Sequence, residues 1–253
     1  MGKFAFMECV EFKDLGLMPY KEAWDYQDSL MQQNLLVKSG AFLSSETIDP
    51  KSLPTKHYLL FVEHPPVYTL GKSGKMEHVL INETQRREKG IEFYQTNRGG
   101  DITFHGPEQV VGYPIIDLEK FYTDIGRYLR DLEEVIILTL AEYGIVAGRS
   151  PGETGVWLDA GIKGKERKIC AMGVRCSRWI TMHGFALNVN TDLDYFNYII
   201  PCGIQYKKVT SLKSELGRTL DMSDVKNKLK ANFEKVFKVQ IHQDIRNAVT
   251  EEG

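Results

Sequence analysis

Long apolar runs are missing from this chain; none reaches the roughly 20 residues that a membrane-spanning helix requires. A charge excess is missing too. Lysine and arginine total 32 against 34 acidic residues, a formal charge of −2, which argues against a dedicated nucleic-acid or anionic-membrane binder and leaves room only for a local basic patch. Cysteine is sparse: Cys9, Cys170, Cys176 and Cys202. In a chain of 253 residues, four thiols read as reduced side chains of a cytoplasmic protein and not as a disulfide framework. Glu8, Cys9 and Glu11 occupy the place where a signal peptide needs its apolar stretch, and Phe6 stands where an N-myristoylation pattern needs Ser or Thr, so neither is expected. Internal repeats and low-complexity tracts are absent.

What is present is an ordinary core-forming composition. A hydrophobic content of 42%, with modest glycine (22) and proline (9), excludes disorder as the dominant state. The length suits one large domain or two small ones. Spacing predicts a helix over Tyr20 to Ser39, with Trp24, Met31 and Leu35 on one face and Gly40 as its stop. An exposed connection, Ala41 to Lys56, follows. His57 to Glu63 reads as a buried strand, with further strands at Ile91 to Thr96 and Gln109 to Asp117. The longest helical pattern spans Thr123 to Tyr143, closed by Gly144. Strand-like segments follow at Gly155 to Leu158, Lys168 to Arg175 and Trp179 to Asn190. A last helix starts near Ser223, with Val225, Leu229, Phe233 and Val236 facing inward. Strands and helices without βαβ alternation indicate an α/β domain of the α+β type.

Three places carry possible chemistry. Arg98 to Gly106 (RGGDITFHG) joins a fixed charge, two glycines and His105; by spacing alone it reads as a hairpin with a satisfied histidine, and it fits neither the dinucleotide nor the phosphate-loop fingerprint. Cys202 sits between Pro201 and Gly203 in a turn, whereas Cys9, Cys170 and Cys176 read as small buried hydrophobes. A reachable thiol still needs a lowered pKa to act as a nucleophile, and many turn cysteines are inert. Lys168 interrupts an apolar strand, either as an edge lysine turned to solvent or as a desolvated functional amine. His183-Gly184 repeats the His105-Gly106 pair and reads as structural. Cys170, Cys176, Cys202, His105 and His183 lack zinc-site spacing, and no metal is expected.

In order along the chain, four blocks resemble the octanoyltransferases of lipoate synthesis, the lipoyl(octanoyl) transferases: Glu63 to Gly71 (EHPPVYTLG), Arg98 to Leu118 (RGGDITFHGPEQVVGYPIIDL), Lys168 to Gly173 with His183 to Val189, and Pro201 to Ile204 with Val209 to Leu212. Phe104 and Glu108 depart from the family, which often has tyrosine and usually glycine there; Glu108 is expected to alter the cleft entrance or partner surface. Two stretches, Ala41 to Lys56 and Gly161 to Arg167, look longer than usual.

The resemblance implies a single catalytic domain over 1–240 with a frayed tail at 241–253. Its fold would be a mixed, largely antiparallel sheet flanked by helices, like that of biotin and lipoate protein ligases. It implies Cys202 as the acyl-carrying nucleophile and Lys168 as the residue that activates it. The substrate-binding segments would be Arg98, Gly99, Gly100, Asp101, Ile102, Thr103, Phe104 and His105, then Ala171, Met172 and Gly173, then Gly184, Phe185 and Ala186. Glycines 99, 100, 173 and 184 would bring backbone N–H groups to the thioester oxygen, and Ala171 and Ala186 would leave an apolar slot. The implied donor is octanoyl-acyl carrier protein. The acceptors are lipoyl domains of 2-oxoacid dehydrogenase complexes and the glycine-cleavage H-protein. No cofactor is implied. Lys207, Lys208, Lys213 and Arg218 are expected as a basic rim for the acidic carrier. Two other activities stay open: an ATP-dependent ligase of the same fold, and a cysteine thioester hydrolase using His105 or His183.

Overall fold

The computed structural model describes residues 7–42, 48–200 and 208–243. The order is β1 (Cys9–Leu17), α1 (Tyr20–Phe42), β2 (His57–Glu63), β3 (Val67–Leu70), α2 (Glu83–Glu88), β4 (Glu92–Gln95), β5 (Ile102–His105), β6 (Gln109–Ile115), α3 (Ile125–Ala141), β7 (Val156–Leu158), β8 (Arg167–Ser177), β9 (Ile180–Asn188), β10 (Lys208–Val209), α4 (Leu212–Leu216), α5 (Met222–Phe237) and β11 (Gln240–Gln243). Two sheets result. The larger runs β10-β8-β9-β6-β2-β1-β11 with β7 added to β8, and the smaller runs β4-β3-β5. The neighbours β2-β6-β9-β8-β7 are antiparallel, whereas β1, β11 and β10 join in parallel. This is the mixed, largely antiparallel sheet flanked by helices that the sequence led us to expect. Its last strand, β11, crosses residue 240, where the domain was expected to end; the tail from residue 244 lies outside the described residues.

One face of the large sheet packs under α3 and α5. Asp124 caps α3 by accepting from the Arg127 N–H at 3.0 Å, and Tyr128, Leu132, Val135, Ile136 and Leu140 form its buried stripe. Helix α5 buries Val225, Leu229 and Phe233 as expected, but Phe237 goes inward where Val236 was expected, and Val236 is half-buried.

The other face carries α1, which runs past Gly40 to Phe42; Gly40 is not among the positive-φ glycines and so does not form the left-handed cap that would end the helix. Its buried stripe also differs. Tyr20, Ala23, Leu30 and Met31 alternate with buried Gln27, Asn34 and Lys38, and each polar residue has a distant partner. Asn34 exchanges two 2.8 Å hydrogen bonds with the Lys56 backbone. Lys38 Nζ donates to Asp117 (2.5 Å), Glu119 (2.8 Å) and the Arg178 carbonyl (2.9 Å). Trp24 and Leu35, expected at the centre of the face, flank it half-buried. Cys9, expected to be buried, is exposed.

Glu108 turns the chain between β5 and β6 with φ 59°, a left-handed backbone that favours glycine, which accounts for the family's usual residue there. Its carbonyl accepts from the Asn190 N–H and the Thr191 hydroxyl, both at 3.1 Å. It lines a surface groove with Lys213 and Arg218 and does not line the main cleft described below.

Candidate active site

A cleft of about 390 Å³ opens between the α1 side of the large sheet and the small sheet. It is lined by Lys168, by Arg98, Gly100, Asp101, Ile102, Thr103 and His105, and by Ala171 to Gly173 and Gly184 to Ala186. Segments from two parts of the chain more than 60 residues apart, 98–105 and 168–186, thus share one wall. Gly99 and Phe104 do not line it. The Gly99 N–H is donated to the Val174 carbonyl at 2.9 Å, so it is not available to a thioester oxygen. Phe104 stacks on Tyr195 with ring centroids 4.6 Å apart. Cys202 lies outside the described residues, as do Pro201, Gly203, Ile204 and Lys207.

Arg98 builds the loop over this cleft. It is 7% exposed, and its guanidinium donates to the Thr69 carbonyl (2.7 Å), the Thr69 hydroxyl (2.9 Å), the Asp101 carbonyl (2.9 Å) and the Gly99 carbonyl (3.0 Å). The Lys72 and Ser73 N–H groups donate to the Arg98 and Gly100 carbonyls at 3.0 and 3.1 Å, clamping this loop to the one that leaves β3. Close approach explains the glycine at 173. A Cβ there would sit 2.5 Å from the Gly99 carbonyl oxygen and 3.1 Å from the Arg98 side chain. Asp101 holds His78 at 2.7 Å.

Three buried histidines follow. His64 Nδ1 faces the Met18 carbonyl at 2.7 Å and must donate to it, so its Nε2 accepts from the Tyr113 hydroxyl at 2.8 Å. Gln109 Nε2 donates to the Phe104 carbonyl and to Asn188 Oδ1. Gln109 Oε1 is therefore an acceptor, and His105 Nδ1 donates to it at 2.9 Å, while His105 Nε2 accepts from the Thr69 hydroxyl at 3.2 Å. Asn188 Nδ2 continues to the Thr210 carbonyl (3.0 Å), and the Thr210 N–H reaches the Lys168 carbonyl (2.9 Å). One hydrogen-bonded chain thus links Arg98 to the backbone of Lys168.

Burial pushes His64 down to about 4, against a weaker opposing pull from the Met18 carbonyl. Burial, reinforced by the Arg98 and Arg175 charges, pushes His183 to about 3. His105 is held well below its ordinary value by burial, and then by the cost of protonating it beside His64 and the Arg98 guanidinium. All three rings are neutral near pH 7, and a base needs a pKa nearer the operating pH, so His105 and His183 are poorly suited to deprotonate a thiol. Above pH 6.5 these rings are neutral in folded and unfolded chains alike. Below it the unfolded chain takes up protons that the folded chain refuses, at His64 until about pH 4 and at His183 until about pH 3. Each ring then removes up to ~1.4 kcal/mol of stability per pH unit. Urea midpoints should fall steeply from pH 6 to pH 4, and His64→Gln should lower that slope by one proton. A flat profile would contradict the neutral assignment.

Lys168 is not an edge residue. Its strand is paired on one side with β7, opposite Trp157, and on the other with β10, opposite Val209. It is 8% exposed, with Nζ 4.6 Å from the Trp157 ring centroid, a cation–π distance. Cys170 is buried as expected, whereas Cys176 is only half-buried; burial raises the pKa of both, which disfavours the thiolate. Among the described residues no group of three or more His, Cys, Asp or Glu side chains is disposed to hold a metal ion. No described helix is long and apolar enough to cross a membrane.

Sequence reasoning missed Tyr20, Val111 and Tyr113, which also line the cleft, and took His183 as structural although it lines the cleft too. Tyr20, the first residue of α1, stacks on His105 with centroids 5.9 Å apart, and burial raises its pKa to about 12. Nothing local marked it, since a lone tyrosine at a helix start carries no spacing signal.

Residues 19–234 match the lipoyl protein ligase A/B catalytic domain, the class that this sheet and cleft define. Solved structures agree on the fold. A lipoate-protein ligase A bound with ATP superposes with a TM-score of 0.65 at 14% identity, covering 94% of this chain and 89% of that one. A bipartite lipoate protein ligase from Thermoplasma acidophilum gives 0.64 at 18% identity, covering 94% and 87%. Sequence relatives are far nearer. The octanoyltransferase of Flavobacterium johnsoniae is 58% identical over 92% of this chain and 98% of its own length, and that of Christiangramia forsetii is 55% identical over 92% and 97%. The chain belongs to the octanoyltransferase family, the acyltransferases of protein lipoylation.

Proposed function

We propose that the chain moves an octanoyl group from octanoyl-acyl carrier protein to a lysine of lipoyl domains through a thioester on Cys202. The Cys202 thiolate attacks the carrier thioester carbonyl, and the carrier thiol leaves with a proton. The neutral amine of the acceptor lysine then attacks the Cys202 thioester, and the sulfur leaves as the amide forms. Exchange of one thioester for another is nearly isoenergetic and amide formation is downhill, so the sequence needs no ATP. Lys168 serves the proton transfers or holds the thiolate by its charge. The acceptors are the lipoyl domains of 2-oxoacid dehydrogenase complexes and the glycine-cleavage H-protein, and the setting is the cytoplasm.

The observation that carries this reading is the position of Lys168. It is buried in the sheet, lines the same cleft as the glycine and alanine segments, and is paired with β10. Strand β10 begins six residues after Cys202, a reach of at most about 20 Å. The test mixes the chain with octanoyl carrier protein and an unmodified lipoyl domain, without nucleotide. Octanoylated domain is the expected product. Dependence on free octanoate plus ATP would instead indicate a ligase, and release of octanoate at the same rate without the acceptor would indicate a hydrolase.

A further inference from the structure

His183 breaks two local rules at once. Within β9 its backbone is left-handed, φ 58°, a conformation uncommon for any residue but glycine and unusual inside a strand, although His, like Asn and Asp, adopts it more often than most. Its side chain is buried at 1% exposure, with Nε2 held 2.9 Å from Asn97 Oδ1 and the backbone N–H donated to Gln27 Oε1 at 2.9 Å. Among the described residues, Nδ1 has no hydrogen-bond partner, and neither has the adjoining Gln27 Nε2. Strain and an unmet polar atom together are features that accumulate at functional sites. The ring lines the same cleft as Lys168.

The register of β8 against β9 gives the cleft a length. Ala171 pairs with Ala186, Gly173 with Gly184, and Val174 with His183. From the Lys168 end, the wall is thus a pair of methyl groups, then a pair of glycines, then an imidazole. The alanine rung and the His183 rung are three residues apart, roughly 10 Å along a strand. An extended octanoyl chain, with seven carbon–carbon bonds, spans about 9 Å. We propose that His183 is the end-stop that sets acyl-chain length, backed by Trp24 and Tyr113, whose ring centroids lie 6.0 and 6.4 Å from its own. A longer chain must displace the ring or press hydrocarbon onto an imidazole nitrogen that then has no polar contact. The inference rests on the proposed function, in which the acyl carbonyl is held at the Lys168 end.

The test is substrate competition. Glycine takes φ 58° without strain, so His183→Gly removes the ring and keeps the backbone. Asparagine tolerates the same conformation and is shorter than histidine, so His183→Asn should give a smaller change in the same direction and guards against misfolding of the glycine variant. Octanoyl and dodecanoyl carrier proteins are compared by kcat/KM for transfer to a lipoyl domain. The dodecanoyl-to-octanoyl ratio should rise at least tenfold in His183→Gly and by less in His183→Asn. Equal losses for both substrates, leaving the ratio unchanged, would overturn the end-stop while the function stands. A wild-type chain that transfers neither acyl group would overturn the function itself.

Discussion

Cys202→Ala is expected to lower octanoyl transfer to a lipoyl domain on the order of 10⁴-fold or more, because the acyl group then has no atom on which to wait between donor and acceptor. Cys202→Ser should be nearly as inactive, since a serine hydroxyl ionises far less readily than a thiol of pKa near 8.5. The effect should be confined to one of the four cysteines. Cys9→Ala and Cys176→Ala should keep transfer within a few-fold of wild type: Cys9 is exposed on a strand of the sheet that does not line the cleft, and burial raises the Cys176 thiol. The measurement is the rate of octanoyl-domain formation with saturating carrier substrate. Retention of a tenth of the wild-type rate by Cys202→Ala would remove the thioester route.

The second large effect is expected at Lys168. Lys168→Met keeps an unbranched stem against Trp157 but removes the amine, and acylation of Cys202 at neutral pH should slow by roughly 10²–10⁴-fold. If the amine serves to make thiolate, the rate should recover as pH rises through the ordinary thiol range near 8.5. Lys168→Arg separates the two roles left open above. Arginine supplies a charge but does not accept a proton at any working pH. If charge alone stabilises the thiolate, the arginine variant should acylate at neutral pH. If the amine is the base, it should behave like the methionine variant. Single-turnover acylation followed from pH 6 to 10 reads both. An unchanged rate in Lys168→Met would remove the residue from the mechanism.

Local patterns found the elements whose faces are apolar. Helices α3 and α5 and strands β2, β6, β8 and β9 fall within a few residues of expectation because periodicity and caps such as Asp124 are short-range signals. Elements held by distant polar partners were less legible. The inner stripe of α1 uses Gln27, Asn34 and Lys38, whose partners include Asp117, 79 positions from Lys38, and His183, so a search for apolar spacing centred the face on Trp24 and Leu35. Strand β11 and the parallel edge it makes with β1 gave no local sign. The family blocks located the cleft, yet they did not separate side chains that line it from those that build it. Arg98 works mainly on loop carbonyls, Gly99 pairs with β8, and Phe104 joins the aromatic cluster with Tyr195 and Phe196. Lys168 illustrates the remaining gap: whether a lysine in an apolar strand faces solvent is decided by which strands pair beside it, here β7 and β10.

Intact-mass analysis after brief mixing with octanoyl carrier protein, with no acceptor and no nucleotide, addresses the covalent route most directly. The wild-type chain should gain the mass of one octanoyl group, lost again on adding a lipoyl domain, and the Cys202→Ala chain should gain nothing. An equal adduct on the Cys202→Ala chain, or none on a wild-type chain that still transfers octanoate, would contradict it.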